Sequence, residues 1–112
     1  MVKKLKPILP SLREKKRYVA FEAIGKPLDF PAANASIQNS VQKLLGTLGS
    51  AKAGIMVLEN KYHSNKGLVK VSHKYVDALK ASFVLSNENG VIFKSLGVSG
   101  ILKKAEEKYL KD

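Results

Sequence analysis

Alternating apolar and polar residues near the start of the chain predict a strand. The alternation runs from residue 17 to residue 24 and places Val19 and Phe21 on one side, with Tyr18 on the other. Tyr18 and Phe21 therefore lie on opposite faces, and only one of them can belong to the core.

A helical spacing follows at once. Between Asp29 and about residue 48, apolar residues recur every three or four positions, and Asp29 is suited to cap the helix. Gly46 is a weak point within this stretch, and Gly49 is the predicted end of the helix.

The second half of the chain predicts a hairpin, a helix, a strand and a last helix. Two β-rich runs, residues 53–62 and 66–73, are joined by "HSNKG", which favours a hairpin turn. A helix capped by Ser72 extends to about residue 85, and a strand covers residues 91–96.

The last helix is predicted to begin after a Ser99 cap. Its Glu106 can pair with Lys103. One face of this helix is apolar, through Leu102, Ala105 and Tyr109.

This order, β-α-β-β-α-β followed by a helix, predicts an α+β fold of the ferredoxin-like or RRM-like type, with two helices on one face of an antiparallel sheet. The other face is open, or is covered by a terminal segment or a partner. A length of 112 residues suits one domain. We expect a basic arm over residues 1–16, with a capping box from Ser11 to Glu14, and a single domain over residues 17–112.

Charge narrows the choice of partner. The chain carries 20 Lys and Arg against 9 Asp and Glu, a net charge of +11. Residues 1–17 supply +6 of this excess. Such a field attracts polyanions, most commonly nucleic acid and less commonly an anionic membrane, although the charge could serve solubility alone.

Composition excludes several classes of protein. The chain has no cysteine, so disulfides and thiolate chemistry are ruled out, which fits a reducing cytoplasm. No apolar stretch is long enough to span a bilayer. The sequence therefore predicts a cytoplasmic protein without a membrane partner.

Two basic clusters are candidates for phosphate contacts. The first adjoins the first strand and contains Arg13, Lys15, Lys16 and Arg17. The alternative for this cluster is a solvated turn. The second lies where the last strand meets the last helix and contains Ser99, Gly100, Lys103 and Lys104, although small residues there also suit a tight turn.

Base recognition has little support in the sequence. Tyr18 could stack on a base, but packing at the edge of the core is the alternative. The run 66–73 has no aromatic residue where an RRM places its stacking rings. We expect recognition of backbone and shape.

No catalytic group is recognisable. His63 and His73 have no second ligand or carboxylate at a useful spacing, and we expect both to be polar surface residues. The sequence has no Walker loop and no dinucleotide glycine pattern. We expect no catalytic residues and no metal site in this chain.

Three stretches resemble the archaeal ribonuclease P protein component 2 family, relatives of the eukaryotic Pop-five subunit. They are "LPSLREKKRYVAFE", "LLGTLGSAKAGIMVLE" and "SLGVSGILKKAEEKYL". The resemblance implies an RRM-like fold and a non-catalytic subunit of the ribonucleoprotein that removes 5′ leaders from precursor tRNA. It also implies that the RNA cleaves with bound Mg²⁺, and that this protein, paired with protein component 3, stabilises the catalytic domain of the RNA.

Other ribonuclease P proteins are further expected partners. Two other classes stay open: a ribosomal or RNA-chaperone protein with the same fold, and a ligand-binding or enzymatic ferredoxin-like domain. The identity of the co-purifying RNA distinguishes a ribosomal or RNA-chaperone protein from a ribonuclease P subunit. Activity that survives without RNA would indicate a ligand-binding or enzymatic domain.

Overall fold

The computed structural model describes residues 15–85 and 91–110 of the chain. It contains four strands and three α-helices, with short 3₁₀ turns at Glu59–Lys61 and His73–Tyr75. In chain order the elements are β1 (Lys16–Ile24), α1 (Phe30–Ala53), β2 (Met56–Val57), β3 (Lys66–Ser72), α2 (Val76–Leu85), β4 (Ile92–Ser99) and α3 (Leu102–Ala105).

The four strands form one antiparallel sheet in the order β2-β3-β1-β4. This order and the alternation of strands with helices are those of the ferredoxin-like fold, which confirms the predicted class. Strand β1 lies inside the sheet, because β3 pairs with one of its edges and β4 with the other.

One face of the sheet packs against α1 and α2 and forms the main core. Phe21 is fully buried there, with its ring 6.1 Å from that of Phe83 and 5.9 Å from that of Phe93. Each such ring contributes about 1.5–3 kcal/mol by leaving water. The helices add the buried side chains of Ile37, Val41 and Leu79.

The other face of the sheet is covered by the end of the chain. Residues 102–110, here called the C-terminal segment, consist of α3 and one π-helical turn, Glu106–Leu110. Ala105 is fully buried against Ala20 and Leu68. The Tyr109 ring lies so close to Gly97 that a Cβ there would be 2.1 Å from it, so only glycine fits.

The long helix ends later than the sequence predicted. Asp29 caps it as expected, through a 3.1 Å hydrogen bond from the Ala32 amide. Gly46 breaks the helical backbone, with φ of 76°. The predicted end at Gly49 is wrong, since the helix resumes and reaches Ala53, where Gly54 forms the left-handed cap.

Two other sequence expectations are also wrong in detail. Only Met56–Val57 of the run 53–62 is a strand, because the chain turns at Glu59–Lys61 before the hairpin. Ser72 precedes a 3₁₀ turn without capping it, and its hydroxyl is buried with no partner among the described residues. The capping box at Ser11 lies outside the described residues.

Candidate nucleic-acid interface

The predicted site residues at the start of β1 are held by pairing with β3, and β4 joins one residue further along. Lys16 is opposite Ser72 of β3, and the His73 amide donates a 2.8 Å hydrogen bond to the Lys15 carbonyl. Tyr18, two residues later, is opposite Ser99 of β4. The beginning of β1 therefore lies beside the ends of β3 and β4. We call this end of the sheet, where β1 begins and β3 and β4 end, the basic end. It is defined by Lys15, Lys16, Arg17, Ser99 and Gly100.

Arg17 reaches toward β4. Its Nη1 donates a 3.1 Å hydrogen bond to the Lys16 carbonyl. A Cβ placed on Gly100 would lie 3.4 Å from the same nitrogen, so the guanidinium rests against this glycine. The structure thus brings together Arg17 and Gly100, which are 83 positions apart in sequence.

Lys16 reaches the other way, toward β2. A Cβ placed on Gly54 would lie 3.3 Å from Lys16 Nζ. The ammonium therefore lies against the C-terminal cap of α1, where the helix dipole favours a positive charge. Two consecutive basic residues consequently spread their charges across the width of the sheet.

The remaining candidates are placed less closely. Lys15, Lys104 and Gly100 are exposed, and Arg13 lies outside the described residues. Lys103 lines a groove of about 430 Å³ that also contains Glu106 and Glu107. Lys103 and Lys104 form no ion pair with a described carboxylate, and neither is brought to Arg17 by a hydrogen bond.

The turn that contains Ser99 differs from the predicted cap. The Ser99 hydroxyl accepts a hydrogen bond from the Ile101 amide and donates one to the Ile101 carbonyl, both at 3.1 Å. The cap position of α3 is Ile101, which provides no side-chain hydrogen bond. Ser99 therefore shapes the turn. Glu106 pairs with Lys61 at 3.1 Å, and the predicted partner Lys103 is not used.

Two further lysines near the basic end are not singled out by the sequence. Lys74 follows β3 by two residues and is exposed. Lys52 lies in the last turn of α1, just before Gly54. No local motif indicates that these residues lie near the basic end. Knowledge of the strand register would indicate it, because the register places Ser72 opposite Lys16.

Within residues 15–85 and 91–110, the cations of the basic end have no carboxylate partner. Lys15, Lys16 and Arg17 form no salt bridge there. Unpaired cations are free to bind an anion without first breaking an internal pair. The electrostatics of this end therefore suit a polyanion.

Stacking of bases on the protein is not favoured. All eight aromatic side chains are described, and each is buried or half-buried. Tyr18 packs beneath the C-terminal segment with Leu102 and Tyr109, which favours the packing alternative over a base contact. Without an exposed ring, recognition falls to charge and backbone groups.

The opposite end of the sheet contains two side chains, those of Asn65 and Tyr62, whose polar groups bond within the protein. We call it the hairpin end and define it by Glu22, Tyr62, Asn65, Lys66 and Lys94. Asn65 Nδ2 donates 3.2 Å hydrogen bonds to the Ala23 and Lys26 carbonyls, and its Oδ1 accepts one from the Leu28 amide at 3.0 Å.

Tyr62 completes this arrangement. Its hydroxyl donates a 2.5 Å hydrogen bond to the Leu28 carbonyl. Burial raises the pKa of the Tyr62 hydroxyl above its usual value, and the negative charge of Asp29 raises it further. The phenol therefore stays protonated and remains a donor.

The described residues contain no cluster of three or more His, Asp or Glu side chains that could hold a metal ion. His63 and His73 are exposed, as expected. No helix in the described part of the chain is long and apolar enough to cross a membrane.

Known proteins resemble this chain in sequence and in fold. The Rpp14/Pop5 family model matches residues 17–110. The protein of Thermococcus gammatolerans named ribonuclease P protein component 2 is 40% identical over 114 residues, covering 98% of this chain and 95% of its own. The protein of the same name from Methanosarcina mazei is 39% identical and covers 96% of this chain and 95% of its own.

A solved structure extends the comparison. A chain in the cryo-EM structure of yeast ribonuclease MRP matches with a TM-score of 0.63 at 12% identity. The match covers 88% of this chain and 87% of that one, which shows that the two share a fold.

Proposed function

The chain belongs to the Rpp14/Pop5 family, and from this membership we propose that it is a protein subunit of ribonuclease P that binds the catalytic domain of the RNA through its basic end. Ribonuclease P removes the 5′ leader from precursor tRNA. The subunit function is supported by the family match and by relatives that align over nearly the full chain. The RNA-binding surface is inferred from the structure.

One observation carries the choice of surface. Lys15, Lys16 and Arg17 stand at the end of an internal strand, without a carboxylate partner among the described residues. Their backbone is fixed by hydrogen bonds to β3 and to His73, which follows it, so these cations are presented from a rigid support. These cations can replace the counterions that are condensed on an RNA backbone, and the release of those counterions favours binding.

The proposed mechanism is neutralisation of phosphates where RNA strands crowd together. Cations held at fixed positions reduce the repulsion between phosphates, so a compact RNA forms more readily. Mg²⁺ bound by the RNA supplies the catalytic metal, and this chain supplies no catalytic residue. We place the ribonucleoprotein in the cytoplasm.

For a protein partner, ribonuclease P protein component 3, we propose a contact surface on the helices. Leu48 of α1 is 70% exposed and Val84 of α2 is 80% exposed. The sheet face proposed from sequence as an alternative is partly occupied by the C-terminal segment. Replacing both residues by serine should weaken co-purification with component 3 and leave RNA binding unchanged. Unchanged co-purification would show that component 3 contacts another surface. Other ribonuclease P proteins are further proposed partners.

Reconstitution tests the function directly. Ribonuclease P RNA and protein component 3 are mixed with precursor tRNA at limiting Mg²⁺, with or without this chain, and leader removal is measured. We expect the chain to accelerate cleavage, because it stabilises the folded RNA. Equal cleavage in its absence would contradict the proposal.

Nuclease digestion tests the division of labour. We expect digestion of the RNA subunit to abolish cleavage, since the described residues hold no catalytic group. Precursor-tRNA cleavage by the protein alone would overturn that assignment.

A further inference from the structure

Further cations lie near the basic end, beyond the residues that define it. Lys74 follows β3 by two residues, and Lys52 precedes Gly54, the residue against which the Lys16 ammonium lies. Both side chains are exposed. Together with Lys16 they form a second group of cations on the β2 and β3 side of the basic end.

The two groups lie on opposite sides of β1. The guanidinium of Arg17 belongs to the β4 side, since it rests against Gly100. Lys104 lies in α3, which follows β4 and contacts it. Neighbouring strands of a sheet are about 4.8 Å apart, so the end of a four-stranded sheet is about 15 Å across. Charges spread over that width can contact two lengths of backbone that lie side by side.

We propose that the basic end bridges two separate backbone segments of one RNA, with Arg17 and Lys104 on the first and Lys52 and Lys74 on the second. This inference rests on the proposed function and adds to it the arrangement of two RNA segments on the protein. Two RNA backbones repel each other at close range, and a row of cations between them neutralises both. The protein would thereby fix the distance between two parts of the folded RNA.

The absence of exposed aromatic rings agrees with this geometry. A single strand bound for its bases would need stacking surfaces, and every aromatic side chain is at least half-buried. Backbones of folded RNA offer phosphates without free bases. The partner is therefore structured RNA, recognised by phosphate position.

Site-directed cleavage tests the bridge, and the chain is well suited to it because it contains no cysteine. Lys74→Cys and Lys104→Cys are each labelled with an iron chelate that releases hydroxyl radicals. Lys94→Cys is the control, because this exposed residue lies opposite Glu22 at the hairpin end. The labelled full-length proteins are bound to ribonuclease P RNA, and the cut nucleotides are mapped.

We expect each of the first two labels to cut one RNA segment, the two segments to be distant in RNA sequence, and the control to cut neither. A single continuous segment cut by both labels would overturn the bridge. Cuts from position 104 without cuts from position 74 would overturn it too, while leaving the proposed function intact. Cuts from neither position would contradict the RNA-binding surface itself.

A charge-matched pair provides a second measurement. Lys52→Gln with Lys74→Gln is compared with Lys26→Gln and Lys94→Gln, which remove the same charge at the other end of the sheet. The first pair should lower the log-log salt slope of RNA binding by about 0.7–0.9 for each lost phosphate contact. Equal changes in both pairs would contradict specific contacts by Lys52 and Lys74.

Discussion

The basic end and the hairpin end of the same sheet differ in where their polar side chains find partners. At the hairpin end, Asn65 and Tyr62 bond to the backbone of the loop that follows β1, and Glu22 lies opposite Lys66 and Lys94. At the basic end, no described carboxylate pairs with Lys15 or Arg17. The first arrangement stabilises the fold, and the second leaves charge available for a ligand.

The largest effect on stability is expected at Asn65. Its left-handed backbone, with φ of 65°, disfavours alanine, and its side chain forms hydrogen bonds to three backbone groups. Asn65→Ala should lower the free energy of unfolding by about 3 kcal/mol, as measured by urea titration.

Asn65→Gly is the matched control, because glycine accepts this backbone but lacks the amide. It should recover about 1 kcal/mol of that loss. RNA affinity at a temperature where both variants are folded should match the wild type. A loss of affinity in the folded variants would remove the distinction between the two ends.

A smaller effect is expected at Tyr62. Tyr62→Phe removes the hydrogen bond to Leu28 and should lower the free energy of unfolding by about 1 kcal/mol near neutral pH. Because the folded pKa is raised, the stabilisation linked to the neutral phenol is present below the unfolded pKa and is lost as pH rises through the folded pKa. Urea titrations at about pH 8 and about pH 11 should therefore show a smaller alkaline loss in the variant. An equal alkaline loss in both proteins would contradict this assignment.

Substitutions at the basic end should change the free energy of unfolding still less. Lys16→Met removes a charge from the C-terminal cap of α1 and should cost about 0.5 kcal/mol, whereas Lys15→Met should cost less. Thermal unfolding at low salt distinguishes the two. A larger cost at Lys15 would mean that the exposed residue has an unrecognised structural role.

Ser72 should show the smallest effect. Its hydroxyl is fully buried and has no partner among the described residues, so Ser72→Ala removes a polar group that is already unsatisfied. The free energy of unfolding should stay unchanged or rise by up to about 1 kcal/mol. A clear loss would show that the hydroxyl is bonded in solution.

The sequence predicts those parts of the fold that depend on local pattern. The alternation around Phe21 predicts β1, and the position of Asp29 predicts the cap of α1; both are confirmed. The end of α1 is not predictable in this way, since Gly46 and Gly49 both resemble stops and only packing decides that the helix resumes beyond the break. The covering of the second sheet face also depends on packing, through Tyr109 on Gly97.

The site was predictable only in part. The basic run before β1 is visible in the sequence, but its position beside Gly100 requires the β1–β4 register. Lys52 and Lys74 carry no local signal. Their proximity to the same end follows from the sheet order, which a single sequence does not contain.

The salt dependence of RNA binding tests the central claim most directly. Lys15, Lys16 and Arg17 are replaced together by glutamine, and the control removes three lysines elsewhere, at positions 26, 80 and 94. Affinity for ribonuclease P RNA is measured over a range of salt concentrations, with circular dichroism confirming that both variants fold.

If these cations contact phosphates, the first variant should bind more weakly, and its log-log slope should fall by about 0.7–0.9 for each lost contact. The control should keep a slope near that of the wild type. An unchanged slope in the first variant, or an equal change in both, would contradict an RNA-binding surface at the basic end.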